Sequence, residues 1–274
     1  MQQRAPRLAG KIAIVTGASR GLGAYCAMAY AAEGAKVVCV GRNDTESPMR
    51  LPGNIYMTAS AIEEYTGARA LPMVCDVSNA EAVEEMTAKV LERWGRIDIV
   101  LNNAAFVMPE GERPSEIAPR LFDQMLQVNV VGPLNMIRAA LPAMRSQHNG
   151  NIINVSGRSH SRGSPLEATK AALEALTVGL ADELRPAGVA VNSLRPAGFI
   201  DTPGVLVNEE VKPKDLMPPN SYVEASILLA MEFADTYTGQ VKTDAEVIRE
   251  LGGADALQRF GDYNPPAWRE SLIA

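Results

Sequence analysis

Thr16-Gly17-Ala18-Ser19-Arg20-Gly21-Leu22-Gly23 joins the apolar run Lys11 to Thr16 to a segment with apolar residues at Leu22, Cys26, Ala29 and Tyr30. The run is short enough for a buried strand, and the later spacing is that of a helix. A strand, a glycine turn and a helix in immediate succession is the context a dinucleotide-binding turn requires. Gly17 permits the tight turn, Gly21 lets the backbone approach a pyrophosphate, and Gly23 lets the helix pack close to the strand. The first amides of the helix then face the anion. Ser19, Arg20 and Leu22 complete this candidate phosphate site. A turn without a ligand uses glycines in the same way, so the reading depends on what flanks it.

Similar short apolar runs recur at Lys36 to Val40, Ala70 to Cys75, Ile97 to Leu101, Asn151 to Val155 and Val189 to Leu194. All read as fully buried strands. Helical spacing separates them, as at Val83, Met86, Val90 and Trp94 and at Leu173, Leu176, Leu180 and Leu184. Strands that alternate with helices need right-handed crossovers, which give a parallel sheet covered on both faces. The expected fold is therefore α/β, a doubly wound, Rossmann-like parallel sheet in three layers. Residues 1–274 read as one nucleotide-binding domain. Gly204 to Asn220 lacks a period and reads as a variable loop or lid. A further helix runs from Ser221 to about Asp235, and Tyr237 to Thr243 can supply a last strand. The polar stretch 253–274 reads as a packing arm.

The composition is 47% hydrophobic and 21% charged over 274 residues, ordinary for a globular protein. A net charge of −6 offers no basic surface for a nucleic-acid backbone. No apolar run is long enough to span a membrane, and the polar start is unlike a secretory leader, so a cytoplasmic location is expected. Cys26, Cys39 and Cys75 are odd in number and lie in apolar segments, which suits buried thiols rather than disulfides or a metal site. His148 and His160 stand in polar surroundings and read as solvated. No metal is expected.

After the second strand comes Gly41-Arg42-Asn43, where an acidic residue would grip the 2′-hydroxyl of NAD. Arg20 and Arg42 suit a 2′-phosphate instead, because a guanidinium clamps phosphate with two parallel hydrogen bonds. NADP(H) is the expected cofactor, with Asp44 close enough to compete.

Three later segments extend the pattern: Cys75-Asp76-Val77, Asn102-Asn103-Ala104-Ala105, and Gln127-Val128-Asn129-Val130. With the glycine turn, they make the chain resemble the short-chain dehydrogenase/reductase family over nearly its full length. The inserted Gly53-Asn54-Ile55-Tyr56-Met57-Thr58, the run Pro196-Ala197-Gly198-Phe199-Ile200-Asp201-Thr202, and Thr243-Asp244-Ala245-Glu246-Val247-Ile248 resemble its hydroxysteroid-dehydrogenase-like subgroup. The resemblance implies that Asp76 and Val77 contact the adenine and that Asn103 and Ala104 line the cofactor. It implies that Ile200 and Thr202 close over the nicotinamide end. Asn129 would hold a water, and Lys170 would hold the nicotinamide ribose.

The resemblance breaks at the proton donor. In the family a tyrosine stands one helical turn before the lysine, but Leu166 occupies that place before Lys170. Leucine has no proton to give, and no tyrosine occurs between Phe106 and Tyr222. The family's carbonyl-binding serine has shifted too: Gly157 stands in its place, with Ser156 one step early. The segment from Ser156 to Lys170 is shorter than the family's. Either the chain has lost the acid, or residues are missing from that segment. The polar cluster Ser156, Arg158, Ser159, His160, Ser161 and Arg162 is a source of substitute donors, or an exposed loop.

Two functions remain open at this level. One is an NADP(H)-dependent oxidoreductase acting on a small carbonyl or alcohol, slowed by the missing acid, with Asn129, Ser156 and Lys170 as its catalytic candidates. The other keeps the nucleotide site without redox turnover, or runs a lyase or isomerase step on the same fold. The apolar run Phe199, Ile200, Val205, Leu206 and Val207 hints at a lipophilic substrate. The stretch Pro119 to Arg145 and the leucine-striped helix resemble the helices that family members pair about a two-fold axis, which implies a homodimer or homotetramer.

Overall fold

The computed structural model describes residues 5–42, 53–107, 114–157, 163–202, 205, 212–253 and 256. Its strands are β1 (Ile12–Thr16), β2 (Lys36–Gly41), β3 (Leu71–Val74), β4 (Ile99–Asn102), β5 (Gly150–Val155), β6 (Val189–Arg195), β7 (Phe199–Ile200), β8 (Leu216–Met217) and β9 (Val241–Thr243). Seven of them form one sheet in the order β3-β2-β1-β4-β5-β6-β9, and every neighbouring pair is parallel. The order reverses between β1 and β4. In open α/β sheets this switch point leaves a crevice beyond the carboxyl ends of the strands, where ligands bind.

The crossovers supply α1 (Gly21–Ala32), α2 (Ile55–Thr66), α3 (Ala80–Trp94), α4 (Pro119–Leu126), α5 (Gly132–Gln147), α6 (Pro165–Leu184), α7 (Asn220–Met231) and the short α8 (Asp244–Val247). Alternation along each strand divides the apolar residues between two faces. Val15, Cys39, Leu101 and Ile153 pack with Tyr25, Tyr30, Ile62 and Ile227 on one side. Ile14, Val38, Val100 and Ile152 pack with Val83, Met86, Met136 and Leu184 on the other. The three-layer, doubly wound fold follows from that division.

Three expectations need correction. The run Ala70 to Cys75 is not a fully buried strand: β3 is the edge of the sheet, and Val74 is 53% exposed. Pro72 fits there because an edge strand tolerates a missing N–H. The insert at Gly53 to Thr58 is the start of α2, an element that the apolar spacing did not reveal. Asn54 caps it, its Oδ1 accepting from the amides of Tyr56 and Met57, both at 3.0 Å. Gly204 to Asn220 is not wholly irregular either: β8 pairs with β7, and α7 begins at Asn220. Most of the remaining loop and of the arm 253–274 lies outside the described residues, as does the cluster Arg158 to Arg162.

Candidate active site

The glycine turn spans the carboxyl end of β1 and the start of α1. Gly17 and Gly21 have φ of 65° and 56°, left-handed values that disfavour any residue with a Cβ. A Cβ on Gly23 would lie 2.3 Å from the Gly17 carbonyl oxygen and 2.4 Å from Asn103 Nδ2. One on Gly17 would lie 2.8 Å from the Cα of Ala104. The cradle is thus closed on its protein side. Arg20 enters α1 in an extended conformation without a side-chain cap, and the first turn carries no acidic residue. Unsatisfied amides and the positive end of the helix dipole therefore face the crevice.

Asn103 and Thr16 hold this turn to β4. Asn103 Nδ2 donates to the carbonyls of Thr16 and Gly17 at 2.9 and 3.1 Å. Thr16 Oγ1 donates to Leu101 and accepts from the amides of Asn103 and Ala104. Both N–H groups of the Asn103 side chain are therefore committed to the loop, so it acts as a strut rather than as a donor to a ligand. Ser19 lies against the end of β2, where a Cβ on Gly41 would stand 2.6 Å from its Oγ. Arg20 Nη2 donates to the carbonyl of Gly53 at 3.1 Å, and Arg42 is exposed immediately after β2. Ser19 thus lies at the carboxyl end of β2, with Arg42 next in the chain after Gly41. Asn43 and Asp44 lie outside the described residues.

Farther along the crevice, Asp76 Oδ1 accepts from the amide and hydroxyl of Ser78, which fixes the turn after β3. Val77 is buried; its carbonyl accepts from Asn135 at 3.0 Å, and its side chain occupies the space beside Gly132. Thr202 closes the near side: a Cβ on Gly21 would touch its side chain at 3.5 Å. Ile200, in β7, is buried beside it in the chain. Leu22 sits partly buried in the first turn of α1.

Asn129 lies in a wide π-helical turn, Gln127–Val131, between α4 and α5. Such one-turn widenings cluster at functional sites. Its Oδ1 accepts from the Phe106 amide at 2.7 Å, and its Nδ2 donates to the Phe106 carbonyl and to Thr169 Oγ1. Thr169 donates in turn to the carbonyl of Leu166. The Asn129 side chain has no N–H left to hold a water. It ties α6 to the loop after β4 through Thr169, the residue before Lys170.

Lys170 is 6% exposed and its Nζ donates to the Val155 carbonyl at 2.7 Å. Burial draws its pKa down to about 8, against the opposing attraction of Glu174. The folded state therefore binds this proton less tightly than the unfolded chain, whose lysine titrates near the ordinary 10.5. The resulting burden on stability is complete below pH 8 and lifts as pH rises to 10.5. Against a Lys170→Met variant, the wild type is expected to gain about 3 kcal/mol across that window. Urea melts of both proteins at pH 7.5, 9 and 10.5 check the prediction (~3 kcal/mol being the ceiling).

The serine has a partner that its sequence context did not reveal. Ser156 Oγ donates to Glu174 Oε1 at 2.6 Å, and Arg195 Nη1 stands 3.6 Å from the same oxygen. The available signal was helical spacing: Leu166, Lys170 and Glu174 fall at successive fours and share one face of α6. Thr169 was missed because its role depends on a contact with α4 and α5, which are distant in sequence. Among the described residues no cluster of His, Cys, Asp and Glu is placed to hold a metal, and no helix is long and apolar enough to cross a membrane. Cys26, Cys39 and Cys75 are free and buried.

This arrangement has known counterparts. The model of the short chain dehydrogenase family matches residues 11–211, from β1 past Lys170 and the closing segment at Thr202. The chain belongs to that family. An uncharacterized oxidoreductase of Staphylococcus saprophyticus is 36% identical over 200 residues, covering 72% of this chain and 81% of that protein. Hydroxysteroid dehydrogenase-like protein 2 of Danio rerio is 28% identical over 267 residues, covering 93% of this chain and 62% of its own length. Among solved structures, a short chain dehydrogenase of Mycobacterium thermoresistibile superposes with a TM-score of 0.80 at 31% identity, covering 94% of this chain and 92% of that one. A metagenomic short-chain oxidoreductase in complex with NADP gives 0.71 at 28%, covering 86% and 97%. The short-chain dehydrogenase assignment and the subgroup likeness agree with the sequence motifs.

Proposed function

We propose that this short-chain dehydrogenase binds NADP(H) and exchanges hydride between it and a small carbonyl or alcohol, at a rate held down by the absence of a phenol at Leu166. The observation that carries the reading is the cradle at Gly17, Gly21 and Gly23, where added side chains would strike backbone, strain the turn or crowd Thr202. Its chemistry fits a pyrophosphate: a helix start without a side-chain cap and with no acidic residue in its first turn. In this reading Gly17, Ser19, Arg20, Gly21, Leu22 and Gly23 hold the phosphates, and Asp76 and Val77 flank the adenine. Asn103 and Ala104 support the loop, while Ile200 and Thr202 close over the coenzyme, with Thr202 beside Gly21.

The bound coenzyme supplies the hydride acceptor or donor. The chain supplies the rest. Lys170, pinned by the Val155 carbonyl, presents its ammonium toward the ribose and the reacting oxygen. Asn129, through Thr169, fixes the turn of α6 on which Leu166 and Lys170 sit. A NADP-bound structural relative at 28% identity supports the choice of coenzyme, as do Arg20, next to Ser19 in the turn, and Arg42, just after β2.

Replacing Arg42 with glutamate is expected to lower NADPH affinity about 10- to 100-fold while leaving NADH affinity within about threefold, as loss of one charged phosphate contact requires. Calorimetric titration with both coenzymes measures this. Equal losses for the two would remove Arg42 from the 2′-phosphate site.

Coenzyme oxidation against a panel of aldehydes, ketones and secondary alcohols tests the redox step. Tight NADPH binding without turnover across the panel would leave a nucleotide-responsive protein, or a lyase or isomerase on this fold, which Leu166 at the acid position favours. Free, buried thiols accord with a reducing, cytoplasmic setting. Val178, exposed on α6, accords with pairing into a homodimer or homotetramer, which light scattering after size exclusion resolves.

A further inference from the structure

We propose that Glu174, acting through Ser156, is the proton terminus of this site, and that the pair favours alcohol oxidation. The inference rests on the redox reading above. A serine hydroxyl has one proton. In this chain that proton is directed at Glu174 Oε1 at 2.6 Å, within the short range of a hydroxyl bonded to an ionised carboxylate. Toward any other group Ser156 therefore presents lone pairs. It cannot donate to a carbonyl oxygen while the bond persists, but it can accept a proton from a substrate hydroxyl.

The surroundings suit that role. Beyond its chain neighbours, a Cβ on Gly157 would meet no described atom within 4 Å, so among the described residues the place of the missing family side chain is open to a substrate oxygen. The Glu174 side chain is 22% exposed, which gives the proton a way out to water. Among the described residues, Ser156 just after β5, Lys170 from α6 and Arg195 from β6 are the polar and charged groups that act on the carboxylate, and Glu246 of α8 shares Arg195 with it. Lys170 itself is bonded to the Val155 carbonyl, so Glu174 remains available to Ser156.

In the forward step the substrate O–H proton passes to Ser156 Oγ as the serine's own proton passes to Glu174 Oε1. The carbinol C–H bond breaks, and its electron pair leaves with the hydrogen as hydride to an oxidised nicotinamide dinucleotide, while the C=O bond forms. Glu174, now a carboxylic acid, releases its proton to water. Ser156 ends as it began. Glu174 is a positioning residue that also stores the proton.

The test compares wild type with Glu174→Gln, which preserves size and can still accept the serine's hydrogen bond but cannot take its proton. In nucleotide-free protein, the rate of Ser156 modification by phenylmethylsulfonyl fluoride is read by peptide mass spectrometry. Removing a general base is expected to slow it about 100-fold. NADPH affinity by calorimetry is expected to stay within about threefold, since Glu174 lies outside the phosphate cradle. In turnover, kcat for alcohol oxidation falls with KM unchanged.

Equal labelling of the two proteins, or no labelling of Ser156 in wild type, overturns the proposal. Failure of NADPH to bind wild type, with the labelling difference intact, would instead overturn the coenzyme reading and leave the pair standing.

Discussion

Replacing Leu166 with tyrosine is expected to raise turnover of a carbonyl substrate by about 10²- to 10⁴-fold, the usual contribution of a positioned general acid. That range is about 3 to 5 kcal/mol of activation free energy. Leu166 sits in the first turn of α6, partly exposed and on the same face as Lys170. Its carbonyl is already fixed by Thr169, itself held by Asn129, so the new side chain would leave from an anchored backbone. A phenol placed there meets a buried ammonium, which stabilises its ionised form and draws its pKa down toward neutrality. Burial has brought Lys170 to about 8, so the gain is present below that pH and fades above it as the ammonium loses its proton. Steady-state kcat at saturating NADPH, measured from pH 6 to 10, checks both magnitude and sign. A rise of less than about tenfold would show that the phenol misses the reacting oxygen.

The second large effect concerns the coenzyme. Gly23→Ala is expected to weaken NADPH binding by about 100-fold, the equivalent of about 3 kcal/mol of binding free energy. It is also expected to cost about 1–3 kcal/mol of stability through overpacking. The added methyl meets the Gly17 carbonyl and the Asn103 amide, and neither is a flexible tip. The amide is bonded to both Thr16 and Gly17, so relief requires moving α1 away from β1 and with it the open amides of the first turn. Calorimetry gives the affinity and differential scanning fluorimetry the melting shift. Gly157→Ala is the matched control, because no described atom would touch its methyl. Unchanged affinity in Gly23→Ala would remove the glycine turn from nucleotide binding.

The parts of this protein that were legible in its sequence are those governed by short-range rules. Each inner strand is apolar because both of its faces are covered, and the glycines recur because the backbone must turn and approach closely. The Leu173, Leu176, Leu180, Leu184 stripe marked α6 for the same reason. β3 was misjudged because an apolar composition does not say whether a strand is central or at the edge. α2 was missed because its identity lies in a cap, Asn54, in a segment read as an insertion. In the site, Lys170 and Asn129 were recognisable, but their partners were not. That Asn129 gives both N–H groups to Phe106 and Thr169, and that Ser156 turns to Glu174, depends on elements brought together by crossovers. Leu166, by contrast, needed no structure: a side chain without a proton is visible in one letter.

The wide turn at Gln127–Val131 fixes a rotational phase. Each residue of an α-helix advances the side chains by about 100°, so one surplus residue turns everything after it by that amount relative to what came before. Asn129 is oriented toward Phe106 and Thr169, while Met136, Ile137, Ala140 and Met144 are oriented for the hydrophobic interior. One continuous regular helix could satisfy only one of those demands. Insertions and deletions here are therefore unequal in their consequences: losing a residue would regularise the backbone, yet it would swing four apolar side chains away from the sheet they cover.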